Sequence, residues 1–85
     1  MSDVVYKFKN AEQFGLFLIW CVENDISIWR TYWSEREKDR CYRIDWQDKR
    51  VYYGSEKYWL EKFYKVVETK FYFDEYGIIK MEQEV

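Results

Sequence analysis

The sequence predicts a single α+β domain in which two helices pack on an antiparallel sheet, and three observations carry that prediction. Short runs rich in aromatic and β-branched residues alternate with period two, as half-buried strands do. Two other stretches repeat apolar residues at helical spacing behind a capping residue. The 85 residues, with no proline and only three glycines, contain no linker or internal repeat that would divide them, so one core must serve the whole chain (residues 1–85).

The elements follow in order. Val4-Val5-Tyr6-Lys7-Phe8-Lys9 reads as the first strand. Asn10, with Gln13 three residues on, forms an Asn-led capping box, and Phe14, Phe17, Leu18, Cys21 and Val22 recur at helical spacing, which predicts a helix over 11–23. Its other side carries Leu16, Ile19 and Trp20, so Trp20 is a candidate partner contact. Asn24-Asp25 ends that helix, and residues 26–33 alternate as a second strand. Ser34 to Arg40 mixes charge signs without an apolar residue and reads as a solvated connection. Residues 41–46 form the returning strand, and 47–50 a turn. Residues 51–53 are either a short extra strand or an extended lead into the next helix. That helix starts behind Ser55 and runs to about Thr69, with Leu60, Phe63, Tyr64 and Val67 on its apolar stripe. Strand, turn and strand over 71–73, 74–77 and 78–82 close the chain, with Glu82, Glu84 and Val85 expected to fray.

The principal order β-α-β-β-α-β is that of the split βαβ, or ferredoxin-like, arrangement, an antiparallel sheet with both helices on one face. Strand parity then assigns faces. Tyr6, Phe8, Ile26, Ile28, Tyr42, Ile44, Trp46, Ile79 and Met81 are expected to meet the helices. Lys7, Lys9, Ser27, Trp29, Thr31, Trp33, Arg43, Asp45 and Lys80 fall on the opposite side.

Composition limits the chemistry. There is no histidine, and no P-loop, dinucleotide fingerprint or nucleophile triad can be assembled, so the chain is expected not to be an enzyme and to need no cofactor or metal. Cys21 and Cys41, far apart and without metal spacing, read as packing residues of a protein from a reducing compartment. No apolar run is long enough to span a membrane and no signal-peptide pattern is present, so a cytoplasmic location without membrane contact is expected. Fourteen Lys and Arg against 16 Asp and Glu leave a net charge of −2, so nucleic-acid binding would need a local basic patch.

The opposite face is the most informative feature. Trp29, Arg30, Trp33 and Arg43 are the residue types that dominate protein interfaces, and aromatics make up 24% of the chain, more than so small a core hides. They are the candidate partner-binding residues, and self-association into a homodimer would cover the same surface. Alternatively, Trp29 and Trp33 could stack bases while Lys7, Lys9, Arg43 and Lys80 neutralise phosphates, as on single-strand-binding sheets. Arg43-Ile44-Asp45-Trp46 lacks the glycines of an RNP1 motif, so any likeness to the RRM is topological. The acidic pairs Asp74-Glu75 and Glu82 with Glu84 are too short to imitate a DNA backbone.

Compact, proline-free, rich in Lys, Glu, Tyr, Phe and Trp and opening Met-Ser-Asp, the chain resembles the small accessory proteins of T4-like phages over its full length. The resemblance implies binding and inhibition of a host or defence-system protein such as a nuclease or an endoribonuclease toxin, with RNA involved where the likeness is to TifA-like inhibitors. It transfers no functional residue.

Overall fold

The computed structural model describes residues 4–28 and 40–83. Its elements are β1 (Val4–Lys7), α1 (Ala11–Glu23), β2 (Arg40–Asp45), β3 (Arg50–Ser55), α2 (Glu56–Glu61), β4 (Lys65–Phe73) and β5 (Ile79–Gln83). The strands form one mixed sheet in the order β3-β2-β1-β4-β5, with β1 and β4 parallel and every other neighbouring pair antiparallel. No helix among the described residues is long and apolar enough to cross a membrane.

The α+β class holds, while the ferredoxin-like order does not. Residues 51–53, read from sequence as an extra strand or a lead into the helix, lie within β3, which takes the seat beside β2 that the strand over 26–33 was expected to fill. Of that expected strand, only 26–28 lie within the described residues, and there Ser27 bridges Arg50 in parallel through Ser27 N–H to Lys49 O and Val51 N–H to Ser27 O. The second helix stops at Glu61 instead of running to Thr69. Val66, Val67 and Thr69 are β-branched, and Lys65-Val66-Val67-Glu68-Thr69-Lys70 also satisfies a two-residue period. Pairing that segment with both β1 and β5 outweighs the helical stripe read there. Leu60 and Phe63, placed on that stripe, are accordingly exposed, Leu60 by 52%.

The helices also lie on opposite faces. One face carries Tyr6, Phe8, Tyr42, Ile44, Val51, Phe71 and Ile79 against Phe14, Phe17, Trp20 and Cys21 of α1, with Ile28 and Met81 packed at its margin. Parity reading from sequence therefore identified most of this set. Trp20 and Trp46 exchange the expected places, because Trp20 lies under the core and stacks on Phe17, whereas Trp46 is 43% exposed and meets Trp20 only edge-on. The other face carries Val5 and Cys41 beneath Trp59 of α2. The two cysteines are thus both buried, one on each face, and unbridged.

Local chemistry explains the boundaries. Asn10 caps α1 by accepting the Gln13 N–H at 2.9 Å. The Gln13 side chain does not complete a capping box. It crosses to β4, donating through Nε2 to Phe71 O at 3.2 Å and accepting the Phe71 N–H on Oε1 at 2.6 Å. β1 ends opposite Glu68, so beyond that point β4 has no strand partner on this side among the described residues, and the amide of Gln13 supplies a donor and an acceptor there. Between β4 and β5, Asp74 Oδ1 accepts the N–H groups of Tyr76 and Ile78, each at 2.9 Å, and Gly77 at φ 77° completes the expected turn. In the β2–β3 hairpin, Asp45 Oδ1 accepts from Gln47 and Asp48 N–H.

Candidate aromatic and cationic interface

On the face opposite α1, the end of β3 and residues Tyr58 and Trp59 of α2 border an open cleft of about 480 Å³, which Arg43, Tyr52, Tyr53, Lys62 and Tyr64 also line. Its construction begins with Ser55, whose Oγ accepts the Tyr58 N–H at 3.1 Å and starts α2 directly after the last residue of β3. Tyr58 and Trp59 are thereby brought over Gly54. A Cβ at residue 54 would lie 3.1 Å from Tyr58 Cδ2 and 3.3 Å from Trp59 Nε1, so glycine is what lets the helix sit this close.

Trp59 is the anchor. Its indole N–H donates to Cys41 O at 3.1 Å, and Tyr58 and Tyr64 meet its ring edge-on at 5.1 and 5.0 Å. Lys7 on β1 adds an ion pair to Glu56 in the first turn of α2 at 3.3 Å, a partly exposed contact worth at most about 1 kcal/mol. Cations are laid on tyrosines: Arg43 stands 5.1 Å from the centre of Tyr52, its register partner across β2 and β3, Lys62 stands 5.2 Å from Tyr58, and Arg40 stands 5.2 Å from Tyr53.

The way α2 ends sets Phe63 between the cleft residues Lys62 and Tyr64. The Tyr64 N–H returns to Trp59 O and the Phe63 N–H to Leu60 O, the paired bonds of a Schellman turn, which place Phe63 at φ 65°. Glycine is the usual residue there because a Cβ in left-handed backbone costs about 1 kcal/mol or more. Phe63 occupies it with its side chain in solvent, 93% exposed. The end of α1 has the same bonding with Asp25, a side chain that tolerates this conformation far better.

Of the residues singled out from sequence, Arg43 lies in the cleft and Lys7 is held beside it by Glu56. Lys9 lies elsewhere, with Asn10, Gln13, Glu68, Thr69 and Lys70 around a hollow of about 270 Å³. Lys80 is on the edge strand β5, opposite Tyr72. Trp29, Arg30, Thr31 and Trp33 lie outside the described residues. Tyr52, Tyr58, Lys62 and Tyr64 were not among the site residues singled out from sequence; a 47–50 turn sets Tyr52 opposite Asp45, whereas the observed register sets it opposite Arg43. Tyr64 was hidden by the false extension of α2. No group of three or more Cys, Asp or Glu side chains gathers as a metal cage among the described residues. Comparison with known proteins returned no matching family model, no matching curated protein and no matching solved structure.

Proposed function

We propose that the chain is a non-catalytic binding protein that inhibits a host or defence enzyme by covering it with the surface around Arg43. The observation that carries this reading is the cleft itself, in which an arginine and a lysine lie on tyrosines, with the exposed Phe63 between Lys62 and Tyr64 in sequence and held in unfavourable backbone. Tyr and Arg are enriched where binding energy concentrates, and cations already resting on rings lose less side-chain freedom on docking. Phe63 contributes nothing to the core and costs backbone strain, which favours a role in contact with another molecule. That the target is an enzyme such as an endoribonuclease toxin or other nuclease rests on the resemblance to phage accessory proteins.

RNA or single-stranded nucleic acid is the alternative occupant, held by Arg43, Lys7, Lys9 and Lys80 with stacking from Trp29 and Trp33. The charge pattern favours protein. Asp45, Glu56, Glu68 and Glu82 are interleaved with Lys7, Arg43, Lys70 and Lys80, Lys7 is already paired, and such a mixed field draws a polyanion weakly.

The test is capture of partners from a host lysate, with and without nuclease, by the wild type, Arg43→Ala and Phe63→Gly. Phe63→Gly is expected to fold at least as stably as the wild type, by about 1 kcal/mol, yet to lose partner binding at least tenfold, and Arg43→Ala to lose it comparably. Retention of one protein in both halves with those losses supports the reading. Undiminished capture by both variants removes this face as the interface, and recovery of RNA with binding that collapses as salt rises supports the alternative.

A further inference from the structure

The sheet has two ends that differ. The outer side of β3 is met at Arg50 by Ser27, whereas β5 pairs only with β4, and no strand among the described residues lies beside the backbone donors and acceptors of its other side. Proteins ordinarily blunt such an edge, because it is a template for another chain. The sequence of β5 makes the template self-complementary. In Ile79-Lys80-Met81-Glu82-Gln83, a cation and an anion stand symmetrically about Met81.

From this pattern we propose that β5 pairs antiparallel with β5 of a second copy of this chain about a two-fold axis through Met81. In that register Lys80 faces Glu82 of the second copy and Glu82 faces its Lys80, so two opposite-charge pairs form at once. Any register that keeps each side chain on its own face must shift the pairing by two residues, and that sets Lys80 against Lys80 or Glu82 against Glu82. Charge therefore selects one register among those that parity allows.

The two faces continue across the seam in matching chemistry. Met81, packed at the margin of the α1 core opposite Phe71, would adjoin Met81 of the second copy, extending the apolar row from one Phe71 to the other. On the opposite face, Lys70 lies across from Glu82 and Tyr72 from Lys80, so the charged pairs join a row that is already charged and solvent-facing. The contact is isologous and closes as a dimer, with two five-stranded sheets joined into one. This inference does not depend on the cleft around Arg43.

Sedimentation analysis of the full chain tests it, using wild type, Lys80→Glu, Glu82→Lys and the double exchange, each checked for folding by circular dichroism. The wild type is expected at twice the 10.8 kDa chain mass, and each single variant is expected to dissociate at least about tenfold more readily. The double exchange restores the dimer. A mixture of the two single variants forms a heterodimer, since glutamates at 80 and 82 of one chain then face lysines of the other. A monomeric wild type at all concentrations overturns the proposal, as does a dimer indifferent to the single exchanges or one that neither the double exchange nor the mixture restores.

Discussion

The two faces of the sheet are covered by helices of unequal length, and that inequality separates core from candidate site. At 1.5 Å per residue, the 13 residues of α1 extend about 20 Å, whereas the 6 residues of α2 extend about 9 Å. The longer helix buries Phe14, Phe17, Trp20 and Cys21 on its side of the sheet, whereas α2 buries Trp59 on the other. Under α1, the rings of Phe8, Tyr42 and Phe71 crowd Phe17 at centroid distances of 4.6 to 5.8 Å. Under α2, one tryptophan is buried and its flanking tyrosines are left partly in solvent with cations on the neighbouring rings. Similar residue types act as core in one place and as contact surface in the other because of how much helix lies above them.

The largest change expected from breaking this contrast is at Phe17, which has no exposed surface. Phe17→Ala removes the ring that joins α1 to Phe8, to Tyr42 of β2 and to Phe71 of β4, and is expected to cost about 3–5 kcal/mol in urea unfolding. A loss below about 1 kcal/mol would mean that this face is not the principal core. Gly54→Ala probes the other face, where the added methyl presses on Tyr58 and Trp59. A loss of about 1–3 kcal/mol is expected, together with weakened partner capture, because the cleft wall must shift. Unchanged stability and unchanged capture would show that α2 has slack at this point.

The smallest effect concerns Cys21, which lies in the α1 core. Burial pushes its thiol up from 9.0 to about 12, because the thiolate is poorly solvated there. The folded chain thus holds the proton more tightly than the unfolded chain does. The stability this contributes is fully present below about pH 9 and is lost as pH rises toward 12. Alkylation of Cys21 near pH 9 is correspondingly expected to be slow in the native protein and fast in urea. Equal rates in both would place the thiol outside the sealed core.

Much of the α1 side was legible in the chain. Phe14, Phe17 and Cys21 follow helical spacing behind Asn10, and Tyr6, Phe8, Tyr42 and Ile44 follow strand parity, so neighbours a few residues apart suffice to identify them. The α2 side was less legible. Val66 and Val67 fit both a helical stripe and a strand, and only pairing with β1 on one side and β5 on the other decides between them. Gln13 shows the same limit at one residue: its backbone is capped as expected, yet its side chain serves a strand 58 residues away, which no local pattern announces. The cleft was half legible for this reason, with Arg43 found by parity and Lys62 and Tyr64 concealed in a helix that ends early.

What the sequence alone determined is therefore what short-range geometry controls: the α+β class, the caps at Asn10 and Ser55, the turn at Asp74 and the parity that sorts Tyr42 from Arg43. The tertiary structure decided which strand sits beside which, that α2 crosses to the far face, and that Trp20 is buried while Trp46 is not. These depend on non-local pairings competing to bury the same apolar area and satisfy the same backbone groups. The outcome of that competition belongs to the whole chain and not to any window of it.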